Sequence, residues 1–204
     1  MVAQYPAGRL SDVVTAPSAT THRPLCLADH DADAARAPRW AKLSAPLSGV
    51  LTMELDGAQP GLQLTTEGVL LAALGRAIAK TIGEGAVSVT VDGAGVLTLT
   101  CALALSPAQR LGAIRYSLVT ACTHPTDTAA PRRADAHFAQ GARGAVDRPP
   151  RGVPLSLRAY RDSGRLQLDW WYDVDRFESS TVEELAEQFP LALIELTSET
   201  VALV

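Results

Sequence analysis

Three observations on this sequence predict an α/β fold with a mixed sheet flanked by helices. Stretches in which apolar and polar residues alternate, as in half-buried strands, recur along the chain. Between them lie segments whose apolar residues are spaced three and four apart, which predicts amphipathic helices. The composition, 47% hydrophobic and 20% charged over 204 residues, is typical of a globular chain that can bury a sizeable core.

The first half of the chain is predicted to contain three strands and two helices. We expect the apolar stretch at 96–105 to be central in the sheet, because it is apolar on both faces. The predicted elements are a half-buried strand at 49–55, a helix at 65–82 capped by a threonine and stopped by Gly83 and Gly85, a strand at 86–92, the strand at 96–105, and a helix at 108–122 with Leu111, Ile114, Leu118 and Val119 inward.

The second half of the chain gives the clearest pattern. After a loop at 123–134 and an extended stretch at 135–140, residues 153–161 and 164–172 alternate on either side of a Gly-containing turn, which predicts a hairpin. Ser180 and Glu183 have the spacing of a capping box, so a helix is expected to follow. Pro190 is expected to kink that helix or to begin a second one.

The two tryptophans of the hairpin point to opposite faces of their strand. Trp170 shares a face with Leu166 and Leu168, while Trp171 lies on the other face. One indole is therefore expected in the core, with the helix at 181–189 packed on the Trp170 face. For the second indole, packing under a neighbouring helix is the default expectation and lining a groove is the alternative.

Charge and composition exclude several classes of protein. The net charge is −4 and no run of Lys or Arg is present, which argues against nucleic-acid binding. No apolar stretch reaches the ~18 residues of a membrane span. The three cysteines have no metal spacing, so we expect reduced thiols in a cytoplasmic protein, with Cys101 buried.

Residues 1–38 are expected to form a partly irregular lead-in, and 39–204 the folded domain. The lead-in contains an acidic cluster, Asp29, His30, Asp31 and Asp33. We interpret it as a surface loop rather than a metal site, because nothing apolar nearby would hold such ligands in a fixed shell. No metal and no cofactor are predicted.

The end of the chain resembles the C-terminal lobe of condensation domains from nonribosomal peptide synthetases, which belong to the chloramphenicol-acetyltransferase-like acyltransferases. The family's "DGRL" turn, "W-x-Y" strand and "T-x-x-x-L-A-E-x-F" helix correspond here to SGRL at 163–166, WWY at 170–172 and TVEELAEQF at 181–189. Further segments resemble the family in the same order, at 39–46, 65–82, 86–93, 111–118 and 134–144.

The sequence also departs from that family. The H-H-x-x-x-D-G motif belongs to the family's N-terminal lobe and is absent here. The "E-G-H-G-R-E" stretch is reduced to VDGAG at 91–95, and the bridging segment that follows is replaced by the apolar 96–105. The resemblance therefore implies a truncated, degenerate lobe related to nonribosomal peptide, lipid or polyketide assembly.

Three functions are compatible with such a lobe. The first is a half-domain completed by an N-terminal-lobe partner chain. The second is a non-catalytic scaffold that binds a carrier protein, and the third is an acyltransferase that forms an amide or ester bond. We favour the non-catalytic interpretations, and we expect an uncovered apolar face that favours homo-oligomers. His137 is the candidate general base, although a structural or surface role is the default interpretation of this histidine; Trp171, Tyr160 and Arg158 are the candidate binding residues.

Overall fold

The computed structural model describes residues 23–31, 36–62, 64–123, 134–142, 149–150 and 152–201. Helices and strands are interspersed along these residues and form one mixed sheet with packed helices, which confirms the predicted α/β class. The elements are β1 (Trp40–Ser44), α1 (Gly49–Leu62), α2 (Thr66–Thr81), β2 (Gly85–Val91), β3 (Gly95–Cys101), α3 (Pro107–Thr123), β4 (Ala136–Gly141), β5 (Leu155–Asp162), β6 (Arg165–Asp173) and α4 (Ser179–Val201).

The strands form one six-stranded sheet in the order β1-β6-β5-β4-β2-β3. β4 pairs in parallel with both β2 and β5, whereas the other three pairings are antiparallel. The sheet is therefore mixed, as predicted. Two antiparallel units meet at β4, and this meeting point is where the candidate site lies.

The predicted hairpin is confirmed as the β5–β6 pair. Asp162 pairs with Arg165 at its tip, which leaves a two-residue loop of Ser163 and Gly164. Both loop residues have positive φ, at 51° and 78°. Positive φ at both positions is the signature of the hairpin turn whose twist matches that of the flanking strands, and glycine adopts it without steric cost.

The helices pack against one face of the sheet, which we call the helix face. The Trp170 ring on this face meets the Phe189 ring of α4 edge-on, with centroids 5.6 Å apart. Helix α2 approaches so closely at Gly75 that an added Cβ would lie 3.1 Å from the Thr100 carbonyl oxygen. Trp170 is therefore the predicted core tryptophan, and the predicted packing of the last helix on its face is confirmed.

The opposite face of the sheet, which we call the open face, has a different chemistry. It carries polar and aromatic side chains, some of them buried and others partly exposed. The uncovered apolar face expected from the sequence stays a prediction. Alternation along the strands places most of their aliphatic residues on the helix face, whereas Val96 on the opposite side is exposed. The open face is defined by Lys42, Ser88, Thr90, Thr98, His137, Ser156, Arg158, Tyr160, Asp169 and Trp171.

The prediction of a strand at 49–55 was wrong, because these residues begin α1. The Ser48 hydroxyl accepts a hydrogen bond from the Leu51 backbone N–H at 3.1 Å, which caps the helix. Leu51 and Leu55, four residues apart, are both buried, so the same apolar residues also satisfy a helical period. The alternating pattern was too short to distinguish the two structures.

The apolar stretch at 96–105 was also placed wrongly. It forms β3 only as far as Cys101, and within the described part of the chain β3 pairs with β2 alone, at the edge of the sheet. Val96 and Thr98 are exposed on one side, while Leu97 and Leu99 are buried on the other. The tight β2–β3 turn forces this position, because β4 occupies the other side of β2.

The remaining helices agree with the predictions in part. Thr65 caps α2 by accepting the Gly68 N–H at 3.2 Å, as expected, and α3 buries Leu111 and Ile114. Val119 of α3, predicted to face inward, is exposed.

The predicted capping box at the start of α4 does not form, because the helix begins at Ser179, and the Ser180 hydroxyl donates to the Glu178 carboxylate instead. A single helix runs through Pro190, which excludes a second helix there.

Part of the predicted lead-in packs on the domain. Backbone hydrogen bonds join Arg23 and Leu25 to Ala86 of β2, and Leu27 is buried. The Asp29 carboxylate accepts the Glu178 N–H at 2.9 Å, so Asp29 helps to position the start of α4. Asp33 lies outside the described residues, as do residues 124–133 of the loop predicted at 123–134, whereas residue 123 of that prediction belongs to α3. The proposed boundary at residue 39 stays a prediction.

We predict that Trp170→Ala lowers the free energy of unfolding by about 3–5 kcal/mol, because a fully buried indole leaves a cavity against Phe189. Urea titration measures the change. Trp171→Ala on the open face is the matched control and should cost much less. Equal losses for the two variants would contradict the assignment of the faces.

We also predict that Cys101 resists alkylation in the folded protein. Burial raises the pKa of its thiol to about 12, so the reactive thiolate is scarce at pH 8. Cys26 is exposed and should react under the same conditions. Iodoacetamide treatment followed by peptide mass spectrometry compares the two cysteines, and Cys101 should become reactive only in denaturant.

Candidate functional site

A cavity of about 210 Å³ lies on the open face, over β4, β5 and β6. Three of the four predicted site residues, His137, Arg158 and Trp171, line it, whereas Tyr160 is not among its lining residues. Among the residues that the structure describes, the lining consists of Asp92, His137, Ala139, Gln140, Gly141, Pro149, Pro150, Ser156, Arg158 and Trp171. The cavity combines apolar walls with a few polar groups, as small-molecule sites commonly do.

His137 is buried at the base of this cavity, with both ring nitrogens hydrogen-bonded. Nδ1 lies 2.9 Å from the Ser156 hydroxyl and Nε2 lies 3.0 Å from the Asp92 carboxylate. Because a carboxylate only accepts hydrogen bonds, the neutral imidazole carries its proton on Nε2. Nδ1 then accepts the proton of the Ser156 hydroxyl. The three side chains thus form a hydrogen-bonded chain that runs from serine through histidine to aspartate.

The strand register creates this chain of side chains. His137 of β4 is paired with Ser156 of β5 and with Thr90 of β2. In parallel pairs, opposite residues point to the same face, so all three lie on the open face. Asp92 follows Thr90 by two residues just beyond the end of β2, which places its carboxylate on the same side. Positive φ at Gly93 then turns the chain toward β3.

The negative charge of Asp92 also acts on a residue outside the Ser156–His137–Asp92 hydrogen bonds. The Asp92 side chain is 59% exposed, whereas that of His137 is 8% exposed. The pKa of Glu67, in the first turn of α2, is raised by burial and, to a lesser extent, by the negative charge of Asp92. His137 therefore lies between a buried serine and an acidic region at the protein surface.

The remaining candidate residues have definite partners. The Arg158 guanidinium donates to the Ala142 carbonyl oxygen at 2.8 Å and lies 5.8 Å from the centroid of the Tyr160 ring. The Lys42 ammonium lies 5.5 Å from the Trp171 ring centroid. These contacts hold Arg158 and Trp171 at the cavity, and they favour the groove that was the alternative expectation for Trp171.

Sequence reasoning missed Ser156 and Asp92. The alternation of residues 153–161 already placed Ser156 on the same face as Arg158, and this was the available signal. For Asp92 no local signal existed, because its approach to His137 depends on the parallel pairing of two strands 45 residues apart. The His30 Nε2 atom lies 3.5 Å from the Glu178 carboxylate, away from the cavity.

Two further properties bear on the kind of site. Among the residues that the structure describes, no three or more His, Cys, Asp or Glu side chains are grouped so that they could hold a metal ion. Over the same residues, none of the helices has both the length and the apolar character needed to cross a membrane.

Comparison with known proteins identifies the class of fold. The chain is 32% identical over 245 aligned residues to a component of the phenolphthiocerol/phthiocerol polyketide synthase of Mycobacterium tuberculosis, a match that covers 90% of this chain and 16% of that protein. Among solved structures, it matches the condensation domain of the Monacolin K polyketide synthase with a TM-score of 0.63 at 14% identity, over 91% of this chain and 55% of that one. No protein-family model matches the chain.

A third match is to the X-domain of teicoplanin biosynthesis in its complex with OxyB, with a TM-score of 0.68 at 11% identity, over 89% of this chain and 50% of that one. The chain therefore has the fold of about half of a condensation-type domain. The predicted resemblance to condensation domains is confirmed at the level of the fold. The chain spans about a sixth of the curated relative, at 16% of its length.

We predict that Asp92→Asn lowers the pKa of Glu67 toward its ordinary value. The neighbouring negative charge disfavours ionisation of Glu67, and asparagine removes that charge. Burial is the larger cause and stays, so the pKa should fall only part of the way. NMR titration of the Glu67 carboxyl carbon measures it, with Asp56→Asn as the control. An unchanged pKa would contradict the electrostatic connection.

Proposed function

We propose that this chain is a condensation-domain-like binding module in the assembly of nonribosomal peptides, lipids or polyketides. It binds a carrier protein or a complementary lobe through the open face of its sheet, and it does not by itself join acyl donors to acceptors. The observation that carries the proposal is the one-sided packing of the helices, which leaves the open face with a cavity between Arg158 and Trp171.

The chemistry of this face supports protein recognition. Arginine and tryptophan are enriched at the centres of protein interfaces, and both are held in place here by side-chain contacts. The structural relative from teicoplanin biosynthesis was solved in complex with another protein, OxyB. The relative from Mycobacterium tuberculosis is itself one component of a polyketide synthase built from more than one chain.

A second candidate function is that of an acyltransferase completed by a partner chain. The observation that favours it is His137, which lies buried beside a cavity with its Nδ1 oriented to accept a proton. The lobe that carries H-H-x-x-x-D-G in the resembled family would have to come from the partner. A homo-oligomer is a further alternative, in which a second copy covers the open face.

Binding through the open face predicts that Arg158→Ala and Trp171→Ala each weaken the complex by at least about tenfold, as expected for interface anchors. Calorimetric titration with carrier proteins of peptide and polyketide synthetases, in the apo and phosphopantetheinylated forms, measures the affinity. Thr98→Ala, on the same face but at the edge strand β3, is the matched control and should leave affinity unchanged. Equal affinity of all three variants would contradict binding through the open face. Concentration-dependent dimerisation of the chain would instead favour a homo-oligomer in which a second copy covers that face.

We predict that the isolated chain does not transfer acyl groups from carrier-bound or CoA-bound donors to amine or alcohol acceptors. Positioning two reactants contributes several orders of magnitude to the rate of such reactions, and the sequence contains no H-H-x-x-x-D-G motif. A chromatographic assay for amide and ester products measures it. Transfer that is lost in His137→Ala but kept in His30→Ala would instead support the acyltransferase.

A further inference from the structure

The hydrogen-bonded chain at the base of the cavity has a chemical consequence beyond partner binding. We propose that Ser156 is an activated nucleophile that accepts the acyl group of small esters or thioesters entering the cavity, with His137 as its base. This activity uses water as the final acceptor, so it is distinct from condensation. It depends on the cavity alone and not on the proposed partner.

The first support is the direction of the hydrogen bonds. Asp92 fixes the Nε2–H tautomer of His137, so the lone pair of Nδ1 is directed at the Ser156 hydroxyl at 2.9 Å. A serine, a histidine and an aspartate joined in this order constitute an arrangement that recurs on unrelated folds as an acyl-transfer site. Here Nδ1, rather than Nε2, faces the serine, which is the reverse of the usual ring orientation.

The second support is the environment of Ser156. The residue is 3% exposed, yet it lines the cavity, so a ligand reaches its hydroxyl through the cavity. An interior of this kind has a lower effective dielectric constant than water, which strengthens the interactions along the chain. A structural serine–histidine pair would not require a cavity beside the hydroxyl.

The lining of the cavity indicates the class of ligand. Ala139, Pro149, Pro150 and Trp171 provide apolar contact, and the volume of about 210 Å³ accommodates a short acyl group. Arg158 brings a positive charge into the same lining, which favours the negative charge that develops on a carbonyl oxygen under attack. A neutral ester or thioester with a short acyl chain fits this combination.

The reaction balances with water as the only co-reactant. The Ser156 oxygen bonds to the carbonyl carbon while its proton moves to His137 Nδ1, and the alcohol or thiol leaves with that proton. Water then attacks the acyl-serine, giving a proton to Nδ1, and the acid leaves as the serine oxygen regains its proton. The net change is hydrolysis of one ester to one acid and one alcohol, or of one thioester to one acid and one thiol.

Phosphonylation with a fluorophosphonate tests the nucleophile directly, because intact-mass and peptide mass spectrometry locate the label in the unmodified chain. We expect one equivalent on Ser156, and with p-nitrophenyl acetate we expect a burst of p-nitrophenolate with a transient acetyl group on the same residue. Absence of both labels, or a label on any other residue, overturns the proposal. This readout needs no variant and is therefore unaffected by misfolding.

Variants test whether His137 and Asp92 activate Ser156 or only support the fold. Ser156→Ala should abolish labelling, whereas Ser198→Ala, at an exposed serine of α4 away from the open face, should leave it unchanged. His137→Gln should lower the rate constant of phosphonylation by about 10²-fold or more, as expected for loss of a general base. Asp92→Asn, which alters a positioning residue, should lower that rate constant by about tenfold without changing the half-saturating concentration of the reagent. Unaltered rates in His137→Gln, in a variant whose thermal unfolding matches the original chain, overturn the role of the histidine.

Discussion

The burial of Trp170 is the interaction on which the arrangement of this molecule depends. Its indole is fully buried against Phe189, and this contact joins the β5–β6 hairpin to α4. Because side chains alternate along a strand, fixing Trp170 on the helix face also fixes Trp171 on the open face. A register shift of one residue would exchange the two faces and bury the polar residues, so the apolar core specifies the position of the site.

The site also depends on parallel pairing at the centre of the sheet. β4 is a short strand between two antiparallel units, and it alone brings β2 and β5 within reach of one another. His137 lies on that strand and contacts a side chain from each side. The site is therefore assembled from three separate segments of the chain, and it forms only when the tertiary pairing is complete.

Features that depend on residues close together in the sequence were predicted, whereas features that depend on contacts between distant segments were not. The hairpin, the Thr65 cap and the core position of Trp170 were predictable, because alternation, turn composition and capping are local signals. Residues 49–55 were misassigned, since so short an alternating stretch fits a helix as well, and the Ser48 cap was overlooked. The edge position of β3 and the contact of Asp92 with His137 could not be predicted, because both depend on which strands pair across long separations.

His137 was chosen from the sequence on incomplete evidence, and its role as a base stays a prediction. Sequence alone gave a histidine on a short strand beside Phe138, for which a structural role was the default interpretation. The structure gives it two hydrogen-bond partners, which is also what a structural histidine requires. What distinguishes the two roles is the neighbouring cavity, which both His137 and Ser156 line and which a histidine that serves only the fold does not need. Partner binding and acyl transfer to Ser156 would then use adjacent parts of one surface: Trp171 and Arg158 in the cavity lining, and the serine at its base.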